Sequence, residues 1–367
     1  MTDIQHPSNF IASELAGRLS NLAPDAEKKG ALHEQQLEII YNQNWFNLFV
    51  PEKYNGLSLS LIEGLQIEEA LAYTDGSIGW TTTLCSGANL FVGYLQPETA
   101  DLFFANKNVC FAGSGQASGT AKIIGDEYEI TGYWKYATGA PHATGFTCNC
   151  VMEKDGITLL NQDGSPLTQS FLFLREEVTI HKNWHCMGMI ATAGHSFEVN
   201  NVRVSANRTF KIDSAYAVLS NPIYQYPFLQ FAEATLGVNY CGMALRFLDL
   251  CKTILPSKVN GKNYIPARKN LILEDLQTAE VKLRAARAAF YKTVEDSWNA
   301  HITNTNASQE LLSKVSTTCY TLATTAKETV NKLFPYCGIA AADPDTEMNR
   351  LWRDFHTAGQ HTLLLFK

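Results

Sequence analysis

The strongest constraint on this chain is that the period of its apolar residues changes twice. From about residue 8 to 105 the apolar positions recur at helical spacing, as in Ser13 to Leu22, Leu32 to Trp45 and Leu61 to Tyr73. From about 108 to 205 the period becomes two, with Ala121 to Ile124, a turn at Gly125-Asp126, then Tyr128 to Thr131, Phe146 to Met152, Ile157 to Leu160, Ser170 to Leu174 and Ser196 to Val204. From about 223 onward helical spacing returns in long runs, Leu229 to Leu255, Ala267 to Ala300 and Ser308 to Phe334, with a last helix expected from Asp345 to Leu365. A period-two segment buries alternate residues and a 3.6-period segment buries one stripe, so neither absorbs the other. The chain therefore reads as α+β, with an N-terminal helical domain over 1–107, a central β barrel or sandwich over 108–210, and a C-terminal helix bundle over 211–367.

Punctuation supports these divisions. Pro51 and Gly56 interrupt the first helical region, Asp75-Gly76-Ser77 ends the Leu61 to Tyr73 helix, and Pro335 with Gly338 is expected to break the third bundle helix. A more deeply buried helix is expected over Ile78 to Leu95. No internal repeat is visible.

Composition removes several functions. The 367 residues carry 36 acids against 29 bases, a formal charge of −7, which a phosphate backbone would repel, so no nucleic-acid partner is expected. Mean hydropathy is −0.12 and no apolar run approaches the roughly eighteen residues of a membrane span. The opening residues have early acids and no apolar h-region, so no signal peptide and a cytoplasmic location are expected. Nine scattered cysteines without CxxC or HxxxH spacing read as reduced, mostly buried thiols, and no metal site is expected. Gly113-Ser-Gly115-Gln-Ala-Ser-Gly119 leads into a strand with the wrong last spacing for a dinucleotide fingerprint, and the Walker A, G-x-S-x-G and H-E-x-x-H motifs are absent. Chemistry on such a chain depends on a bound organic cofactor.

Four phrases, in order, carry a resemblance. They are Phe49-Val50-Pro51…Tyr54-Asn55-Gly56; Leu71-Ala72…Asp75-Gly76-Ser77…Trp80; Gly132-Tyr133-Trp134-Lys135-Tyr136-Ala137-Thr138-Gly139-Ala140-Pro141-His142-Ala143; and Arg350-Leu351-Trp352-Arg353-Asp354. Together with the order of the three regions they resemble the acyl-CoA dehydrogenase superfamily of flavoproteins over nearly the whole chain. The Gly132–Ala143 phrase and the ending Arg350 to His361 are similar to the superfamily's flavin-dependent monooxygenase branch, of the two-component, group D type. Dehydrogenases of the superfamily often carry Tyr-Glu-Gly near the end, the glutamate being the base. Here that stretch is Ala358-Gly359-Gln360-His361, without a carboxylate. Other dehydrogenases place the base on the first bundle helix, but Glu233, aligned through Cys241-Gly242-Met243-Ala244, stands one residue out of register, about 100° around a helix.

The resemblance implies a flavin, FAD or FMN, held by Phe111, Ala112, Gly113, Ser114, Trp134, Tyr136, Ala137, Thr138 and Gly139, with Thr138 facing the flavin N5 and Tyr136 beside the ring. It implies His361 as the acid/base, because an imidazole changes charge near neutral pH. Trp80, Asn89 and His195 are expected to contact substrate, whereas His142 is expected to pack or hydrogen-bond. The implied activity is that of an oxygenase component acting with reduced flavin and O2 on a small organic substrate, with a separate flavin reductase and a homotetrameric assembly. An acyl-CoA dehydrogenase and a catalytically inactive flavin-binding homologue are the alternatives. Two departures from the branch stand out: Ile190 occupies a place where arginine is common, and Ser86-Gly87-Ala88-Asn89 lacks a histidine often found past the tryptophan at position 80.

Overall fold

A computed structural model of the chain describes residues 4–261, 264–303 and 308–365. Six helices open it: α1 (Ser13–Asn21), α2 (Ala23–Lys29), α3 (Glu34–Asn42), α4 (Leu61–Thr74), α5 (Gly76–Asn89) and α6 (Pro97–Phe103). Local chemistry sets their ends. Ser60 and Glu63 form a reciprocal capping box at the start of α4, and the Asp75 carboxylate accepts the Ile78 amide at 3.0 Å at the start of α5. α4 and α5 approach closely because Gly79 lacks a side chain; a Cβ there would lie 2.3 Å from the Ala72 backbone.

The middle of the chain makes one eight-stranded sheet: β1 (Phe111–Ile124), β2 (Glu127–Ala137), β3 (Gly145–Lys154), β4 (Ile157–Thr158), β5 (Thr168–Leu174), β6 (Thr179–His181), β7 (His195–Ser205) and β8 (Thr209–Phe210). The order is β6-β7-β2-β1-β3-β5-β8, with β4 beside β3. β1 and β2 form the hairpin expected at Gly125-Asp126, and β1 runs parallel to β3 while every other pair is antiparallel. The sheet wraps a core of its own, built on Trp134, Phe146, Phe171, Phe173 and Phe197. Two register shifts on β2 against β7, one between Ile130 and Gly132 and one between Trp134 and Ala137, bend the strand.

After the short α7 (Pro222–Gln225) come α8 (Phe228–Val259), α9 (Pro266–Ile302), α10 (Gln309–Cys337) and α11 (Glu347–Ala358). α8 is buried along most of its length, packed between α4, α10 and α9. The N-terminal and C-terminal helices share a single apolar core, so the two helical regions bury their stripes against each other.

Two expectations for the C-terminal region need correction. Pro335 does not break α10, which continues to Cys337; the proline lies in the last turn, where a missing N–H ends little, and Gly338 at φ 77° makes the stop. The last helix does not reach Leu365. It ends at Ala358, and His361 is the N-cap of a short 3-10 turn over Thr362–Leu364.

A buried ion pair joins the two helical regions. Glu69 of α4 is fully buried and accepts from Arg287 Nε at 2.8 Å and Nη2 at 2.7 Å, and from the Tyr291 hydroxyl at 2.8 Å. The same guanidinium donates to the Gln5 carbonyl at 2.8 Å, which ties down the N-terminal segment. Removing one partner leaves the other charge buried and unpaired, which costs about 3–5 kcal/mol. Arg287→Met is expected to lower unfolding stability by that amount in a urea titration, and a loss below about 1 kcal/mol would remove the pair from its place in the core.

Candidate active site

A cavity of about 440 Å³ lies where the sheet meets the helices. One wall is the start of β1, Phe111 to Gly115, backed by Thr147, Cys148 and Asn149 of β3 and Ser170 of β5. The end of β2 supplies Tyr136 and Thr138. Thr83, Leu84, Gly87 and Ala88 of α5 form a second side, and the first turns of α8, from Phe228 to Leu236, form a third. His361 and Leu363 close it.

The bulge at the end of β2 shapes this site. Tyr136 sits at φ 69°, a conformation costly for a bulky side chain, and is 61% exposed at the cavity edge, with Trp184 edge-on at 6.3 Å. The extra residue re-aims the chain so that Thr138 reaches the cavity. Its hydroxyl has no hydrogen-bond partner among the described residues, although its amide and carbonyl are engaged by Tyr136 and Cys85. Gly87 and Gly115 border open space, since a Cβ on either would meet nothing within 4 Å. The lining residues include no lysine, arginine, aspartate or glutamate.

His361 is the imidazole that lines the cavity among the described residues. Its ring stands edge-on to Trp80, with centroids 5.8 Å apart, and its Nδ1 accepts the Leu363 amide N–H at 3.2 Å. That bond assigns the neutral tautomer: the proton sits on Nε2, and the ring offers an N–H donor. Burial lowers its pKa from the ordinary 6.5, so the uncharged ring persists at neutral pH.

The structure brings Phe111, Ala112, Gly113, Ser114, Tyr136, Thr138 and His361 around one cavity. It places the other expected site residues behind it. Trp134 is fully buried in the sheet core, stacked on Phe197 at 5.2 Å, and its Nε1 donates to the Asn149 carbonyl at 3.0 Å. Its indole packs over Gly119 and Gly132, where a Cβ would come within 2.2 and 2.5 Å of the ring. Ala137 is fully buried opposite His195, and Gly139, at φ 78°, donates its amide to the Thr192 carbonyl at 2.9 Å. Trp80 supports His361 from outside the lining. His195 Nδ1 accepts from the Trp184 amide at 3.1 Å, so it acts through the ring that backs Tyr136. Asn89 is fully buried and wholly engaged: Nδ2 donates to the carbonyl of Phe46 at 3.0 Å, to Asn47 Oδ1 at 2.8 Å and to the Val109 carbonyl at 3.1 Å, while Oδ1 accepts the Phe111 amide at 2.8 Å. No group remains on Asn89 for a substrate.

Sequence reading missed Thr83, Asn149, Ser170, Phe228, Phe231 and Thr235, all in the lining. Asn149 carried a usable signal, a carboxamide inside an otherwise apolar strand. Its Nδ2 donates to the Gly115 carbonyl at 2.8 Å and its Oδ1 accepts from Ser170 at 2.7 Å. Phe228 and Phe231 stack at 6.0 Å and their spacing on one helix face was legible. Glu233 points elsewhere, its carboxylate accepting from Ser316 of α10 at 2.5 Å, and burial raises its pKa.

The arrangement is a curled sheet set between an N-terminal helical region and a helix bundle, with a cavity at their junction. Residues 234–366 match the family described as acyl-CoA dehydrogenase, C-terminal domain. The chain is 28% identical over 256 residues to an indole-3-acetate monooxygenase of Pseudomonas putida, covering 69% of this chain and 63% of that relative. It is 21% identical to the flavin-dependent monooxygenase, oxygenase subunit HsaA, of Rhodococcus jostii, covering 94% of this chain and 91% of the relative. The crystal structure of the 3-HSA hydroxylase from Rhodococcus sp. RHA1 superimposes with a TM-score of 0.88 at 20% identity, over 99% of this chain and 94% of that one, a likeness of fold. The chain thus has the acyl-CoA dehydrogenase-like fold, and its relatives include an oxygenase subunit of a flavin-dependent monooxygenase.

The lowered pKa of His361 has a consequence for stability. The unfolded imidazole takes its proton first, at about 6.5, so protonation favours unfolding and stability falls as pH drops below that value. Carbon-13 NMR of labelled histidines is expected to place the His361 midpoint below 6.5. In His361→Gln, part of the acid loss of thermal stability should disappear; a midpoint at or above 6.5 would show an imidazole open to water.

Proposed function

We propose that the chain is the oxygenase component of a two-component flavin-dependent monooxygenase, working on a small uncharged aromatic compound with flavin reduced by a separate reductase. The observation that carries this reading is the cavity, which combines the unpartnered Thr138 hydroxyl, His361 and aromatic walls without a carboxylate base. The monooxygenase relatives support it over the dehydrogenase alternative, as does Glu233 being turned toward Ser316. The chain spans 63% of the length of the Pseudomonas putida indole-3-acetate monooxygenase it matches, and the activity rests on the site.

The residues fit a flavin. Glycines at 87 and 115 leave room for a flat ring, Tyr136 and Phe111 would flank it, and the Thr138 hydroxyl and Ser114 would offer it polar contacts. The chemistry a reduced flavin supplies when bound is activation of dioxygen for transfer of one oxygen atom to an organic molecule. The chain's part is to position the molecules, exclude water and supply hydrogen-bond donors. Phe91, Phe228, Phe231 and Leu236 hold an apolar molecule and keep water from the reacting centre. His361 presents Nε2–H as a hydrogen-bond donor to a polar atom in the cavity and stays neutral while it does so, since its Nδ1 is held by the Leu363 amide. Trp80 fixes the ring and the Leu363 amide fixes the tautomer.

The substrate class follows from charge. A carboxylate in this cavity would meet no cation in the lining and would be desolvated without a partner, which is unfavourable by several kcal/mol. Phe91, Phe210, Phe228 and Phe231 favour a planar ring. The relative acting on indole-3-acetate handles an acid; this cavity suits a neutral indole or phenol. Exposed Leu271 and Val281 on α9 support assembly of bundles into a homotetramer, to be checked by sedimentation.

With chemically reduced flavin and isotopically labelled dioxygen, a neutral indole or phenol is expected to yield product carrying the label. Anaerobic bleaching of bound oxidised flavin by an acyl-CoA thioester, with no labelled product, would reverse the assignment. His361→Ala should lower oxygenation by roughly 10²–10³-fold with flavin still bound, as for a lost preorganised hydrogen-bond donor. Thr138→Val should weaken flavin affinity by about 1–2 kcal/mol, or roughly five- to thirtyfold, and unchanged affinity would move Thr138 away from the ring.

A further inference from the structure

Behind the cavity wall, three donors from three elements converge. The Sγ atoms of Cys85 on α5 and Cys110 just before β1, and an imidazole nitrogen of His142 after β2, lie within 4.8 Å of one another. Both cysteines are fully buried, and His142 Nε2 is buried with no hydrogen-bond partner among the described residues. The space between them is kept by Gly139: a Cβ there would lie 2.8 Å from Cys85 Sγ and 3.1 Å from His142 Nε2. Each donor is held from outside. Phe46 stacks on the His142 ring at 5.5 Å, the Cys110 amide donates to the Thr144 hydroxyl at 3.1 Å, and Asn89 grips the backbone on both sides of Cys110.

We propose that Cys85, Cys110 and His142 form a zinc site. Two sulfurs and an imidazole are the soft and borderline donors that zinc takes, and zinc–donor bonds of about 2.0–2.3 Å bring tetrahedral ligands about 3.5–4 Å apart, within the observed spread. Charge decides for a divalent ion: two thiolates and Zn²⁺ sum to zero, whereas a monovalent ion would leave one negative charge in a buried site. Binding releases the two thiol protons and changes no oxidation state. The Thr138 carbonyl lies 3.7 Å from Cys85 Sγ and supplies a fourth ligand. Such an ion clamps α5, the start of β1 and the loop after β2 to one another. It therefore fixes Thr138 and Tyr136 at the cavity. The proposal stands apart from the monooxygenase reading, since it concerns metal content rather than turnover.

The test uses the whole chain, purified under reductant and equilibrated with zinc, then freed of loose metal by gel filtration. Zinc stoichiometric with the chain is expected by mass spectrometry, with melting raised by about 3–8 °C over the chelator-treated protein. Replacing zinc by Co²⁺ should give a thiolate-to-cobalt charge-transfer band in the near ultraviolet. Cys85→Ser and His142→Gln should lose the band, whereas Cys186→Ser, at an exposed cysteine, should keep it. Zinc far below stoichiometric in the wild-type chain overturns the site whether or not the variants fold. So does a Cys85–Cys110 disulfide whose reduction leaves the protein unable to take metal.

Discussion

The structure hangs on the carboxamide of Asn89. Its four hydrogen bonds join the last turn of α5, the loop at Phe46-Asn47 and the two residues that flank Cys110 at the start of β1. Every polar atom of the side chain is matched, so burial costs nothing in lost hydrogen bonds and the junction has one geometry. From that junction the sheet leaves the helices. The first residues of β1, Phe111 to Gly115, become the cavity wall, and α5 presents Thr83, Gly87 and Ala88 to it. A helix-to-sheet seam offers few repeated hydrogen bonds, so one saturated side chain sets the angle.

The same seam carries the bulge on β2. Trp134 anchors the strand in the sheet core on one side of it, and Gly139 turns the chain away on the other. Between them Tyr136 is held at a positive φ. The residues expected to touch a cofactor or substrate thus divide into those that face the cavity and those that support it from behind. Trp134, Ala137 and Gly139 belong to the second group, and so do His195, through Trp184, and Trp80, through His361.

Much of the fold was legible because period is a burial signal. The change to alternation at Ala121–Ile124 and Tyr128–Thr131 marked β1 and β2, and the long stripes marked α8, α9 and α10. What failed was local. The run to Leu365 looked helical, but Gly359 and Gln360 leave α11, and His361 caps a new turn through its own ring nitrogen. Pro335 looked like a stop, yet it falls where only one turn of helix remains. The site was half legible for another reason. A motif such as Gly132 to Ala143 names residues in order, while a bulge decides which of them face out. The donors Cys85, Cys110 and His142 were illegible, since spacing searches see ligands on one element and these stand on three.

The cavity's chemistry depends on what its lining lacks as much as on what it holds. The Ser86–Asn89 stretch has no histidine, and Gly87 opens space where one would project. The imidazole hydrogen-bond donor is then His361, whose Nδ1 is taken by the Leu363 amide. A ring so tied begins as a donor through Nε2; to begin as a base it would have to move its proton to Nδ1, facing another N–H and losing that bond. Burial disfavours the charged form as well. With no charged side chain in the lining, the site has little field of its own to steer an ionised substrate, so selection falls to shape and to the aromatic walls. A neutral ring that accepts a hydrogen bond from His361 meets both conditions, whereas an acyl thioester awaiting removal of an α-proton finds no carboxylate among the residues lining the cavity.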